Sequence, residues 1–268
     1  MEGLQVNVFD VTLRTVGQPL LVQTSPEQAG IIARGLIVSA LCHEFCDCAA
    51  ARRGHQARCK AGHAISTFAI GKANAIDGGL AIRIILPADA SLAANLERAL
   101  RALQGHGIGP DRSVVSDVRL EIKNFRIPIP DTLSGADQLR ITITTESPLA
   151  LGWRTEGELP FIGLNTIHRS LVRAAARWGW SPGPRESVGV SVSETMIVAF
   201  GSWVRAPRFS SRTRRTMPFL GVVGHWEMDV RADLERVRQL AAALDLLPIG
   251  GRTAFGFGKM RLEVRGVA

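Results

Sequence analysis

The residues of this chain whose types and spacing could do chemistry are cations set among glycines. From Leu246 to Met260 the sequence reads Leu-Leu-Pro-Ile-Gly-Gly-Arg-Thr-Ala-Phe-Gly-Phe-Gly-Lys-Met, with Gly250, Gly251, Gly256 and Gly258 interleaved with Phe255 and Phe257 and bracketed by Arg252 and Lys259. Glycines at that density let a backbone take positive φ and come close to another backbone or a ligand. Cationic side chains beside exposed amides suit a phosphate-bearing partner. Two better-known phosphate loops are excluded. A Walker A loop needs glycine where Thr253 stands and Ser or Thr where Met260 stands; a dinucleotide fingerprint needs glycine at Arg261 and should open a helix. The plainer alternative, a glycine-rich turn between a helix and an edge strand, stays open on position alone.

Two other stretches concentrate positive charge. Arg205, Arg208, Arg212, Arg214 and Arg215 fall within eleven residues that hold one aromatic, Phe209, and no acidic residue. Such a stretch suits backbone contacts to RNA, against the alternative of a solvated connector. Arg52, Arg53, Arg58 and Lys60 lie in a polar insertion between Phe45 and about residue 64. The same region holds Cys42, Cys46, Cys48 and Cys59 with His55 and His63, enough ligands for zinc. One residue between Cys46 and Cys48 is too tight for the usual two-residue knuckle, so ordinary reduced cysteines are expected and no metal or other cofactor.

The chain has 268 residues, enough for one large domain or two of ordinary size, and its apolar content argues against wholesale disorder. The formal charge of +8 points to a polyanionic partner. Lys60, Lys72, Lys123 and Lys259 are its only lysines, so nearly all of the positive charge is arginine, whose planar fork binds phosphate bidentately and stacks on bases. A GC-rich coding bias would also raise arginine, so the clustering says more than the number. No apolar run reaches the roughly 20 residues of a membrane helix. The start, Met-Glu-Gly-Leu-Gln, lacks a signal-peptide layout; the expectation is a cytoplasmic protein with no membrane partner.

The elements that must position these residues follow from periodicity. Residues 4 to 14 alternate as a strand. Ser25-Pro26-Glu27 opens a helix carrying Ile31, Ile32, Leu36, Ile37 and Leu41, with Arg34 on it and His43 near its end. Strands are expected at Leu80–Leu86 and Val114–Phe125, around a helix at Ser91–Leu103. A further strand is sought between Ala64 and Ala69. Ile127-Pro128-Ile129-Pro130, with Ser134-Gly135, marks a domain boundary, so residues 1–127 and 128–268 form two domains. The pattern then repeats: a strand at Leu139–Thr145, a helix at Leu164–Trp178, and paired strands at Glu194–Val204 and Phe219–Val230 joined by the basic loop. A helix at Ala232–Leu244, the glycine stretch and a closing strand complete it. Each half reads β-α-β-β-α-β, giving an α+β chain of two tandem ferredoxin-like domains with a basic helical insertion (45–64) in the first.

Phe219-Leu-Gly-Val-Val-Gly224 opening a strand, then a helix, then Gly250-Gly-Arg-Thr-Ala-Phe-Gly-Phe-Gly258 resembles the C-terminal signature of CRISPR-associated precursor-crRNA endoribonucleases of the RAMP superfamily. The motif covers roughly the last 50 residues, and the duplicated topology extends the likeness. Arg34-Gly35 with cysteines downstream looks like the N-terminal half of some members. The small size and arginine-rich insertion are similar to type IV versions. The resemblance implies metal-free cleavage of repeat RNA: the 2′-hydroxyl attacks the adjacent phosphate, leaving a 2′,3′-cyclic phosphate and a 5′-hydroxyl. It implies CRISPR repeat RNA and crRNA as partners, retention of the product, and delivery to other effector-complex subunits. Many relatives carry a histidine at the end of the first helix, the place of His43, which is then a candidate base. The chain has no tyrosine, where some members use one. Arg34 and Arg252 are then the candidates for catalysis by positioning and charge. Gly251, Phe255, Gly256, Phe257, Gly258 and Lys259 are expected at the RNA, with Phe255 and Phe257 as stacking rings although alternation turns at least one inward. Two alternatives are a non-catalytic RAMP-type RNA-binding subunit of an effector complex and a general single-strand RNA-binding protein.

Overall fold

The computed structural model describes residues 3–16, 26–45, 68–105, 107–108, 113–152, 156–180, 192–210 and 215–266. Strand β1 (Leu4–Val16) leads to helix α1 (Pro26–Phe45), then to the hairpin β2 (Ala69–Ile76) and β3 (Gly79–Pro87), helix α2 (Ala90–Arg101), a short strand β4 (Gly107–Ile108) and β5 (Ser113–Ile127). The second half follows with β6 (Asp137–Thr145), α3 (Leu164–Ala176), β7 (Ser193–Ser210), β8 (Arg215–Ala232), α4 (Leu234–Leu246), a 3-10 turn at Thr253–Phe255, and β9 (Met260–Gly266). The sheets run β2-β3-β1-β5-β4 and β7-β8-β6-β9, with all pairs antiparallel. Leaving aside the small β4, each places its strands in the ferredoxin-like order, and the expected α+β duplication is the observed fold. The basic insertion lies outside the described residues, apart from Phe45 at the end of α1. The second strand of the first half begins at Ala69, where the pattern in the sequence would end it; Gly78 at φ +65° supplies the turn into β3.

Alternation along β1 explains how the halves join. Phe9, Val11 and Leu13 face α1 and α2, in one core with Ala33, Ile37, Leu96 and Leu100. Leu4, Val6 and Val8 point the other way and belong to the core of the second half, with Ile141, Trp226 and Leu240. The connecting segment is packed too: Ile127, Ile129 and Leu133 are buried. His168 on α3 donates from Nε2 to the Pro130 carbonyl (2.8 Å), because a carbonyl can only accept. Burial holds the His168 imidazole below its usual pKa, so it sits there neutral.

Helix α1 is apolar over most of its circumference because it is covered on two sides. Ala29, Ala33, Leu36, Ile37, Ala40 and Leu41 are buried in the first core. Ile31, on another side, packs against a third cluster made of Ala150, Ala206, Phe219, Phe255 and Phe257 from the second half. Among the described residues no helix is long and apolar enough to cross a membrane.

Candidate functional site

The third cluster is built around the glycine stretch. After α4, buried Leu247 and Ile249 lead into a chain that turns left-handed at Gly250 (φ +84°), Arg252 (φ +64°), Gly256 (φ +80°) and Gly258 (φ +85°). The glycines serve contacts within the protein. A side chain at Gly258 would strike the Ile249 carbonyl, and one at Gly250 would lie 2.6 Å from the Ala150 oxygen. Gly256 meets Gly30 of α1 backbone to backbone: a Cβ on Gly30 would collide with the Phe255 carbonyl, and a Cβ on Gly256 would lie 3.1 Å from the Gly30 Cα. Two glycines, one from each half, thus let a helix and a turn touch without intervening side chains.

This corrects the expectation of exposed amides. Gly251 donates to Ala150, Phe255 and Phe257 to the Arg252 carbonyl, Gly256 to Thr253 and Gly258 to Pro148. Lys259 is also occupied internally: its Nζ donates to the carbonyls of Leu244 (3.0 Å) and Asp245 at the end of α4. A cation there satisfies carbonyls that the helix leaves unpaired, and burial lowers its pKa. Phe257 is fully buried and Phe255 is 8% exposed, so both are corrected from stacking rings to core.

What the turn presents is a pair of arginines from the two halves over one aromatic group. The Arg34 guanidinium carbon lies 4.1 Å from the Phe255 ring centroid and 5.9 Å from that of Phe68. Arg252 lies 4.6 Å over Phe219. Phe219 meets Phe255 edge-on at 4.8 Å and Phe257 at 6.0 Å. Arg34 is half-buried and Arg252 exposed. A guanidinium held over a ring is oriented by it and partly desolvated on that face, which strengthens its attraction for phosphate oxygens. A crevice lined by Phe68, Arg177, Trp178 and Thr253 opens in the same joint. Arg252 is the one non-glycine residue with positive φ among the described residues. Its backbone costs about 1–2 kcal/mol.

His43 is on α1, thirteen residues beyond Gly30 and about 20 Å along the helix axis from the glycine contact. Arg34 and Arg252 are therefore brought together, and His43 is set apart from them by more than two helical turns. Arg52, Arg53, Arg58, Arg212 and Arg214 lie outside the described residues, as do Cys46, Cys48 and Cys59. Among the described residues no group of three metal-ligating side chains occurs.

The basic loop is corrected to the end of a long hairpin. β7 and β8 pair without a break from Gly201↔Gly224 to Ser210↔Arg215, so Arg205 pairs with Leu220, Arg208 with Met217, and only the tip between them is a connection. β6 stops pairing at Thr144↔His225, and beyond it the ribbon continues for ten residues on each strand, about 33 Å. Phe219 and Ala206, directly opposed, anchor this ribbon in the third cluster. Arg205 is ion-paired with Glu156, a residue outside the basic stretch, so its charge does not stand unopposed. Two aromatics of the site are not singled out by the sequence: Phe68, which Arg34 also faces, and Phe219, which stands there only as the first residue of a motif. The signal available is spacing: Phe219 precedes Gly221, on which Phe257 sits.

Fold and joint together define a class: tandem ferredoxin-like α+β proteins whose C-terminal glycine turn is seated on the first helix of the N-terminal half. No protein-family model matches the chain, and no curated protein matches it in sequence. Among solved structures the chain is similar to CRISPR-associated Cas6 proteins. A Cas6 product complex aligns at 19% identity with a TM-score of 0.55, over 97% of this chain and 99% of that one. Thermus thermophilus Cas6 aligns at 17% identity with a TM-score of 0.52, over 98% and 100%. A product complex of that Cas6 aligns at 16% identity with a TM-score of 0.58, over 97% and 100%. At such identities the likeness is one of fold, and it runs the length of the chain.

Proposed function

We propose that this chain is a metal-independent, sequence- and structure-specific endoribonuclease that cleaves CRISPR repeat RNA and keeps the product for effector-complex assembly. Its domains are 1–127, with the basic insertion 45–64, and 128–268. One observation carries the reading: Arg34 and Arg252, from different domains, converge on the Phe219–Phe255 pair, with Arg252 held in a strained backbone. Strain maintained by its surroundings clusters at functional sites. In the proposed reaction the 2′-hydroxyl oxygen attacks phosphorus and gives up its proton, while the 5′-oxygen leaves and gains one. The products are a 2′,3′-cyclic phosphate and a 5′-hydroxyl. Two guanidinium groups offset the added charge on the phosphorane-like transition state. The solved Cas6 product and substrate-mimic complexes of this fold agree with an RNA ligand.

The second reading is a non-catalytic RAMP-type RNA-binding subunit. It is favoured by the position of His43 on α1, nine residues beyond Arg34 and so about 13 Å further along the helix axis. Incubating the purified chain with synthetic repeat RNA in excess EDTA decides between them. A single cut supports the nuclease. Binding without a cut supports the subunit, and a cut that requires added Mg²⁺ overturns the proposed mechanism.

A further inference from the structure

The face of the second sheet turned away from α3 and α4 carries a feature the arginine pair does not use. The register sets Phe200 on β7, His225 on β8, Thr144 on β6 and Arg261 on β9 in one row. At about 4.8 Å between strands the row spans roughly 14 Å. Phe200 is 61% exposed, the most exposed phenylalanine among the described residues. Its ring stacks on His225 at 4.9 Å with planes 18° apart. His225 Nδ1 lies 3.2 Å from the Thr144 hydroxyl, which fixes the imidazole in that stack. Arg261 at the far end has an exposed side chain in a 3.4 Å surface pair with Glu146, an interaction of little worth that another anion can replace.

We infer that this row is a stacking platform for an unpaired nucleotide of bound RNA, with the base on Phe200 and its strand's phosphate running across the sheet toward Arg261. Every base has a π-face, so an exposed ring stacked from below accepts one without reading its identity. A peptide adding a strand would pair with the backbone edge of β7 or β9 and leave a ring on the sheet's face uncovered, and the charge of +8 favours a polyanion. The inference rests on the reading that the chain binds RNA and adds where an unpaired flank goes. It does not require cleavage.

Affinity tests it with the full chain and two RNAs, a repeat hairpin alone and the same hairpin with four adenosines on each side. F200A should weaken binding of the flanked RNA by about tenfold and leave the bare hairpin unchanged. F200W should restore it, and it serves as the decisive variant if F200A does not fold. For the parent chain, an abasic flank should reproduce the F200A loss. Equal effects of F200A on both RNAs, or no effect on either, overturn the platform while leaving the nuclease reading intact. If the parent chain binds neither RNA, both readings fall.

Discussion

Arg252 adopts φ +64° and ψ +18°, a conformation that glycine would take without strain. An arginine there is paid for in stability, so the side chain must return something the backbone does not need. Arg252→Gly separates the two. Relief of strain and removal of the cation–π interaction, each of about 1 kcal/mol, oppose one another. Unfolding free energy should therefore change by less than about 1 kcal/mol in urea titration. Single-turnover cleavage should fall by roughly a hundredfold or more, as when one positioned charge-stabilising group is removed. Arg34→Ala should behave likewise. His43→Ala distinguishes the alternatives: if His43 is the base, the rate falls by about a hundredfold with RNA affinity unchanged. If the rate survives, the chemistry belongs to the arginines. A fall in stability without a fall in rate in Arg252→Gly would make that residue structural.

The joint between the halves depends on two elements, α1 and the glycine turn, touching through backbone. Gly30→Ala places a methyl against the Phe255 carbonyl and should cost about 2–3 kcal/mol, as overpacking does. Gly35→Ala, five residues along the same helix with nothing within 4 Å, should gain about 0.5–1 kcal/mol. Equal effects at the two glycines in thermal melts would contradict the helix–turn contact. The attachment of α3 to the connecting segment should respond to pH. His168 has its pKa lowered by burial, so the unfolded chain takes up a proton at a higher pH than the folded one. That contribution is complete above the ordinary histidine pKa and is lost as pH falls from there toward the lowered value. His168→Gln should flatten the dependence of melting temperature on pH across this window. The ribbon of β7 and β8 is tested by salt: changing Arg212, Arg214 and Arg215 to Ala should reduce the slope of log K against log salt by about 0.9 for each duplex phosphate that the variant no longer neutralises. Parallel lines would return the stretch to a solvated connector, and Arg52, Arg53 and Arg58 would inherit the role.

Leu4, Val6 and Val8 of the first sheet complete the core of the second half, so the molecule as a whole should unfold in one cooperative transition. The duplicated order of elements is legible in the sequence because period-2 and period-3.6 patterns alternate twice along the chain. β2 is not, because Gly-Lys-Ala-Asn-Ala lacks the β-branched and aromatic residues that mark a strand; it is held by pairing with β3. Arg34 and Arg252 are legible as cations near glycines. That they meet over the Phe219–Phe255 pair depends on a contact between residues more than two hundred positions apart, and Phe257 and Lys259 turn inward onto Phe219, Leu244 and Asp245; no local period records either. The same holds for Arg205 and Glu156. The row through Phe200 emerges only from the strand register.

In the proposed reaction the RNA supplies its own nucleophile and the chain supplies charge around the phosphate. Two repeat RNAs that differ in one atom, the 2′-oxygen of the nucleotide just upstream of the cut, separate this from every reaction in which water attacks. Each is incubated with excess protein in EDTA. The ribose form should be cut once, leaving a 2′,3′-cyclic phosphate, while the deoxyribose form should bind with similar affinity and remain intact. Cleavage of the deoxy substrate at the same bond would contradict the proposed chemistry.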